Sequence, residues 1–319
     1  MALVISCAPA ASGPAATATV TATTAPNIHV ANPYSLTLDA QERVLVADGQ
    51  GKRVVRLDTK TGAGTGLAAG LVFPIHVAFD SKGAIYVADV DGYQVKKIGA
   101  NGELTPVLGT GKEGRGGAVG APTAIDIAFV YAIAFDAKDD MVFIEGGLVR
   151  KLALATGTIT TIAQGLNEPH GLAIDRDGSY VISETTAHRI VRVDPATGAI
   201  TTVAGTKDLA GFAGDGGSAT AAQLNKPRQL TFDKSGALYF ADEGNGRVRR
   251  IANGTIATVA GNGSSTLAGD GGPGVAAGMR SVWGVAVNSA GDLYIASPPA
   301  AAVRKVDAKT GIITTLGAP

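Results

Sequence analysis

An internal repeat that occurs six times between about residues 28 and 317 constrains the fold of this chain more than any other feature. The six units start at Pro33, Pro74, Val130, Pro169, Pro227 and Val282. In each unit an apolar stretch runs into a polar turn, and a second apolar stretch follows that ends in Ala-Asp or a similar pair. A third stretch alternates Arg or Lys with Val or Ile, and a fourth follows a Gly-containing turn of the kind that closes β-hairpins. Such a repeat indicates stacked units rather than the two domains that 319 residues would suggest.

Four short strands per unit predict an all-β fold, namely a six-bladed β-propeller with four antiparallel strands in each blade. One four-stranded sheet cannot bury both of its faces, so it must stack on neighbours, and radial closure leaves only short edges exposed. No stretch shows a helical period of 3.6 residues. The sixth unit is complete, so we expect the ring to close by packing the sixth blade against the first. An added strand from the Thr-rich residues 17–24 stays open as an alternative.

The consensus of the six units resembles the NHL repeat of bacterial β-propeller proteins. It reads P-x-G-[VL]-A-[VFI]-D, then G-x-[IL]-Y-[VIF]-A-D, then N-x-R-[VI]-[RK]. The resemblance covers about residues 28 to 317, which implies one propeller domain at residues 28–319.

Three longer loops precede the third, fifth and sixth units. Residues 211–224 and 265–279 each contain Ala-Gly-Asp-Gly-Gly, and residues 109–125 hold a degenerate version. Such insertions are common in the NHL proteins that this chain resembles. One carboxylate per loop is too few for Ca²⁺, which takes about six to eight oxygen ligands. We therefore expect Asp215 and Asp270 to hold a turn.

The composition narrows the class of partner. The 27 basic and 27 acidic residues give a net charge of zero, which argues against nucleic-acid binding because that needs a basic surface. No segment reaches the roughly 20 apolar residues of a membrane span. We expect a monomer whose partner is a protein, a glycan or a small molecule.

Residues 1–27 have a different character from the repeats. Val4-Ile5-Ser6-Cys7 resembles a bacterial lipobox, in which Cys7 would be lipidated, and the Ala-, Thr- and Pro-rich residues that follow are typical of a flexible tether. The segment departs from a full signal sequence because it lacks a basic start and its apolar part is short. It indicates an exported, periplasmic or cell-surface lipoprotein-like protein, with a meaningless apolar stub as the alternative.

The first strand of each blade lines the central channel of a propeller, where concave ligand sites form. The residues after the unit's first position are Tyr34, Ile75, Tyr131, His170, Arg228 and Trp283, and the next ones are Ser35, His76, Ala132, Gly171, Gln229 and Gly284. Strand alternation would point His76 to the other face from its neighbour. We predict a ligand-binding set of Tyr34, His76, Tyr131, His170, Arg228 and Trp283. The alternative is that these side chains only fill the channel.

A second ring lies at the ends of the second strands, where Ser297 interrupts a series of acids: Asp48, Asp89, Glu145, Glu184 and Asp242. One acid at the same position of each unit is typical of a structural role, in which it binds backbone amides at the turn. If the protein is an enzyme, His170 with Glu184 and Glu145 would be the metal ligands, for Ca²⁺ or Zn²⁺ at the channel. Otherwise no cofactor is expected.

The fourth unit, from Pro169, resembles a blade of peptidyl-hydroxyglycine α-amidating lyase, a six-bladed propeller that binds zinc through Pro-His motifs on three blades. His170 matches one of those ligands and the other two have no counterpart, whereas a catalytic zinc needs three protein ligands. Streptogramin B lyase-like proteins carry Trp-Phe-Thr-Glu where this chain has Tyr-Val-Ala-Asp. The acid and Asn/Asp set of gluconolactonase-like calcium enzymes is not found at the channel.

Three functions are compatible with these patterns. The favoured one is an exported module that binds a ligand or a protein through its channel mouth and loops. The second is a metal-dependent lyase or hydrolase of a small molecule at the same mouth. The third is an interaction protein that acts through the Ala-Gly-Asp-Gly-Gly loops.

Overall fold

The protein is described from a computed structural model that covers residues 29–115, 117 and 120–316. These residues form six four-stranded antiparallel sheets arranged as blades around a central channel, which confirms the predicted all-β propeller. The predictions for Cys7, for the rest of residues 1–27 and for a strand at residues 17–24 lie outside the described residues. No helix within the described part of the chain is long and apolar enough to cross a membrane.

The strands follow one another in chain order, four to a blade. In the first three blades they are β1 Pro33–Leu38, β2 Val44–Asp48, β3 Arg53–Leu57, β4 Gly64–Ala69; β5 Pro74–Phe79, β6 Ile85–Asp89, β7 Gln94–Ile98, β8 Leu104–Leu108; β9 Val130–Phe135, β10 Met141–Glu145, β11 Leu148–Ala153, β12 Thr158–Gln164. In the last three they are β13 Pro169–Ile174, β14 Tyr180–Glu184, β15 Arg189–Val193, β16 Ile200–Ala204; β17 Pro227–Phe232, β18 Leu238–Asp242, β19 Arg247–Ala252, β20 Thr255–Ala260; β21 Gly284–Val287, β22 Leu293–Ser297, β23 Ala302–Val306, β24 Ile313–Leu316. Short 3₁₀ helices occur at Val90–Gly92, Pro122–Ala124, Ala219–Ala221, Glu243–Asn245, Gly274–Ala276 and Pro298–Ala300.

The core is divided among the interfaces between neighbouring blades. Phe143 and Met141 of blade three pack with Tyr86 of blade two in one such cluster. The ring closes in the same way, because Leu36 and Val46 of blade one pack against Tyr294 of blade six. Within the described residues every sheet consists of four consecutive strands, so no blade is completed by a strand from elsewhere.

The acids at the ends of the second strands have the predicted structural role. Asp48 accepts hydrogen bonds from the amides of Ala31 and Asn32, at 3.0 and 2.8 Å, and from Nε of Arg53 at 3.0 Å. Asp89 in the next blade likewise binds the amide of Phe73 at 2.7 Å. Each acid thus ties the segment that enters the blade to the end of the second strand.

The Ala-Gly-Asp-Gly-Gly loops extend the outer edges of the blades that follow them. In residues 211–224 the amide of Gly216 donates to the carbonyl of Ile256 in β20, at 2.8 Å. In residues 265–279 the amide of Gly271 donates to the carbonyl of Ile313 in β24, at 2.9 Å. Asp270 accepts from the backbone amide of Thr315 at 3.0 Å and from Arg304, so it fastens its loop to blade six. These loops therefore cover otherwise unpaired strand edges.

Candidate functional site

A cavity of about 250 Å³ opens at one end of the channel. Its wall combines aromatic, apolar and polar side chains from around the ring: Tyr34, Ser35, Phe73, Ile75, His76, Val90, Tyr131, His170, Arg228, Gln229 and Trp283. All six side chains of the predicted ligand-binding set therefore lie around one cavity. Below it the channel continues as a second cavity of about 310 Å³, which is lined by the first strands and shares His76 and Gln229 with the mouth.

A β-bulge at the start of the first strand aims the side chains into this mouth. In blade one, Pro33 pairs with Asp48 and Ser35 pairs with Ala47, so Tyr34 is an extra residue between them. The same register shift occurs in blades two to five. A bulge interrupts the strict alternation of side chains. The expectation that His76 faces away from its neighbour was therefore wrong: Ile75 and His76 line the same cavity.

One side of the mouth is a cluster of aromatic rings. The ring of Tyr34 lies 4.6 Å from Trp283 and 5.1 Å from Phe73, centroid to centroid, and both contacts are edge-to-face. Sequence reasoning missed Phe73, although an aromatic residue directly before the unit's first proline was a visible signal. Burial raises the pKa of the Tyr34 hydroxyl, so this phenol carries no charge at neutral pH.

His170 faces this cluster across the mouth with its ring 4.5 Å from that of Tyr131. Its Nδ1 lies 3.1 Å from both the carbonyl oxygen of Glu168 and the hydroxyl of Thr185. The Thr185 hydroxyl donates its own proton to the carbonyl of Pro227 at 2.9 Å, so Nδ1 must carry a proton and Nε2 is the unprotonated nitrogen. Burial, helped by the charge of Arg228, lowers the pKa of His170 to about 4. The imidazole is therefore neutral at physiological pH.

Arg228 brings a positive charge to the rim, and two contacts hold it there. Its guanidinium lies 3.8 Å from the ring centroid of Trp283, and its Nε donates to a carboxylate oxygen of Glu243 at 2.5 Å. The carboxylate of Glu243 thus already partners Arg228, and the guanidinium covers one face of the indole. A charged ligand would thus find no unpaired opposite charge among the residues that line this cavity.

Gln229 crosses the floor of the mouth and joins three blades. Its Oε1 accepts from the amides of Leu36 in blade one and Val285 in blade six, at 3.0 and 3.1 Å, and its Nε2 donates to the carbonyl of Leu36 at 2.7 Å. A Cβ atom at position 284 would lie 2.9 Å from Oε1 of Gln229, so Gly284 leaves room for this side chain. Sequence reasoning placed Gln229 in the channel ring but did not assign this role.

The three proposed metal ligands do not fit a metal site. Glu184 accepts from the amide of Asn167 at 2.9 Å and from Nε of Arg189 at 2.5 Å, and Glu145 binds the amide of Ala128 and the side chain of Arg150. Both carboxylates thus belong to the ring of structural acids, whereas His170 lies at the mouth. Across residues 29–115, 117 and 120–316, no group of three or more His, Cys, Asp or Glu side chains is arranged to hold a metal ion.

Comparison with known proteins places the chain by fold. No protein-family model matches it. It is 26% identical over 261 residues to teneurin-3 of Mus musculus, which is 69% of this chain and 10% of that protein. It is 28% identical over 233 residues to teneurin-4 of Homo sapiens, which is 61% of this chain and 8% of that protein. The chain thus spans about a tenth of the length of these curated relatives.

Solved structures with the same fold have diverse names. An auxiliary nutrient binding protein from Bacteroides thetaiotaomicron has a TM-score of 0.69 at 15% identity, covering 90% of this chain and 70% of that one. A virginiamycin B lyase from Staphylococcus aureus has a TM-score of 0.56 at 15% identity, covering 93% and 86%. A gluconolactonase from Xanthomonas campestris has a TM-score of 0.61 at 14% identity, covering 85% of each. At these identities the likeness shows the propeller fold alone.

Proposed function

We propose that this protein is a binding module of the NHL-repeat type that holds a small, uncharged, ring-containing ligand at the channel mouth. The observation that carries this proposal is the cavity of about 250 Å³ with aromatic rings on opposite sides, Tyr34 with Trp283 and Tyr131 with His170. Aromatic side chains bind the faces and edges of other rings through dispersion and quadrupole contacts. The volume suits a ligand smaller than a typical drug.

The charge state of the residues that line the mouth favours an uncharged ligand. Arg228 is already paired with Glu243, and His170 stays neutral because its pKa is about 4. A ligand with a net charge would lose its hydration in the cavity without gaining a partner there, which is costly.

The same features favour binding over catalysis. A general base works best with a pKa near the working pH, and an imidazole with a pKa of about 4 is a weak base. The lining residues of the mouth include no carboxylate that could act as a partner for His170. The name of the nutrient-binding neighbour agrees with a binding role, and the lipobox-like Cys7 agrees with export.

Trp283 is the only tryptophan of the chain, so its fluorescence reports directly on the mouth. We would titrate the protein with benzyl alcohol, benzoate and benzylammonium, which present one ring with no charge, a negative charge and a positive charge. Benzyl alcohol should change the emission saturably in the millimolar range expected of a probe with about eight heavy atoms. Each ion should bind about tenfold more weakly or worse.

A pair of tyrosine variants controls for position. Tyr131→Leu should weaken benzyl alcohol binding, whereas Tyr239→Leu, outside the cavity, should not. The proposal is overturned if benzyl alcohol gives no saturable change up to about 10 mM, or if the ions bind as well as the alcohol.

A further inference from the structure

We infer that the floor of the mouth contains a polar subsite, formed by Oγ of Ser35 and Nε2 of His76, that binds a neutral hydroxyl or carbonyl oxygen of the ligand. This inference rests on the proposed function and adds to it the polar group that the ring must carry.

The Ser35 hydroxyl is buried and unused. Ser35 is only 2% exposed, it lines the mouth cavity, and its Oγ has no hydrogen-bond partner among the described residues. A buried hydroxyl without a partner is unfavourable by about 1–3 kcal/mol, and such groups are rare in native structures. A ligand group that reaches this hydroxyl from the cavity that Ser35 lines would recover this energy.

His76 offers a second unused group beside it. The side chain is 7% exposed, and its Nδ1 accepts a hydrogen bond from the amide of Ile133 at 3.4 Å. Because Nδ1 accepts, the ring proton of the neutral imidazole lies on Nε2. Nε2 makes no hydrogen bond within the described part of the chain, and His76 borders both the mouth and the channel below it.

The fold places these two residues at equivalent positions of neighbouring blades, on the wall of one cavity. Ser35 and His76 are the third residues of β1 and β5, and they pair with Ala47 and Ala88 at equivalent positions of the second strands. β1 and β5 pack side by side around the channel. The other residues at this level offer no free polar side chain: Ala132, Gly171 and Gly284 have none, and the amide of Gln229 already binds Leu36 and Val285.

The pair selects the chemistry of the ligand group. Nε2–H of His76 can only donate, whereas the Ser35 hydroxyl can donate or accept. A ligand hydroxyl matches both, since its oxygen accepts from His76 while its proton goes to Ser35, and a carbonyl oxygen can accept from both. A carboxylate does not match, because burial lowers the pKa of His76 to about 4 and the floor has no positive charge.

The test compares benzyl alcohol with toluene, which keeps the ring but lacks the oxygen, by Trp283 emission. Wild-type protein should bind benzyl alcohol more tightly than toluene. Ser35→Ala should weaken benzyl alcohol about fivefold or more and leave toluene unchanged, as expected for the loss of one hydrogen bond. Ser297→Ala is the matched control, since Ser297 is also 2% exposed with an unpartnered Oγ but does not line the cavity.

A second variant tests the imidazole. His76→Phe keeps a ring of similar size and removes Nε2–H, so it should also reduce the preference for benzyl alcohol over toluene, with folding checked by thermal unfolding. The subsite is overturned if the two probes bind wild-type protein equally, or if Ser35→Ala weakens both by the same factor. Either of these results leaves the proposed function intact. If wild-type protein binds neither benzyl alcohol nor toluene, the proposed function itself is contradicted.

Discussion

At the scale of single residues, the two histidines of the mouth should set the pH dependence of stability. Burial lowers the pKa of His76 and of His170 to about 4, whereas histidine in an unfolded chain titrates near 6.5. The folded state therefore binds these protons less readily than the unfolded state. The two neutral imidazoles therefore contribute to the free energy of unfolding. This contribution is fully present above a pH of about 6.5 and is lost as the pH falls through about 4.

We expect the urea midpoint to decrease between pH 7 and about pH 5, before most carboxylates titrate. The variant His76→Gln/His170→Gln should lose most of this decrease, although its stability at pH 7 is lower. His188→Gln is the control: burial lowers the pKa of His188 too, but this side chain is more exposed, so its variant should keep most of the decrease. A double variant with the same pH slope as wild-type protein would show that the fold does not lower the pKa of either imidazole.

The residues of the mouth were partly predictable. The repeat places Tyr34, Tyr131 and His170 at one position of different units, so their convergence follows from the register of the units alone. The orientation of Ser35 and His76 does not, because it depends on a bulge that has no distinct residue pattern. A single sequence likewise does not show that a polar side chain such as Gln229 binds a partner in another blade.

At the scale of elements, each long loop is coupled to an arginine in the third strand of the next blade. The third position of that strand is arginine in the three blades that follow a long loop, at Arg150, Arg249 and Arg304. In the other blades it is Val55, Lys96 and Val191. The carbonyls of Gly117, Ala213 and Ala268 accept hydrogen bonds from these arginines. The loop and the arginine therefore form one structural unit.

This coupling predicts unequal effects of the same substitution in the two matching loops. Arg249 is buried between two carboxylates, Asp215 at 2.7 Å and Asp242 at 3.2 Å. Arg304 is equally buried but has Ser297 where blade five has Asp242, so Asp270 is the carboxylate it pairs with, at 2.5 Å. Asp270→Asn should lower the free energy of unfolding by about 2 kcal/mol, and Asp215→Asn by clearly less.

Chemical denaturation of the two variants at neutral pH measures this difference. Burial tends to raise the pKa of Asp270, but hydrogen bonds from Arg304 and Thr315 outweigh it and hold the pKa below its usual value. The gap between the variants should therefore shrink in acid, as Asp270 of wild-type protein becomes protonated. Equal losses in both variants would contradict the idea that Ser297 leaves Arg304 dependent on its loop.

At the scale of the whole molecule, the number of blades and their strands could be predicted because one sheet pattern recurs six times. The way in which the ring closes could be predicted only in outline: the sixth unit is complete, so no strand from elsewhere is needed to finish its blade. The sequence does not predict that Leu36 and Tyr294 belong to one core cluster, because every unit has apolar residues at these two positions. The structure shows that the seam between blades six and one is an ordinary face-to-face interface.

Blades six and one are the only neighbouring blades that are not joined by a loop of described residues. Side-chain contacts across the seam between them should therefore control the integrity of the ring. Gln229 spans it through three hydrogen bonds to Leu36 and Val285. Gln229→Met fills the same space without polar atoms and leaves those buried groups unpaired. It should lower the free energy of unfolding by about 3 kcal/mol.

Hydrogen exchange locates the effect of this substitution. The amides of Leu36 and Val285 lose their acceptor directly, so they are left out of the comparison. Protection of the other amides of β1 and β21 should fall more than protection of those of β5 and β9, because the seam opens before the other interfaces. Gln164→Met, at an exposed end of β12, controls for the change of side chain and should leave the pattern unaltered. If Gln229→Met lowers protection evenly in all six blades, the ring unfolds as one cooperative unit, and Gln229 stabilises the whole propeller rather than its seam.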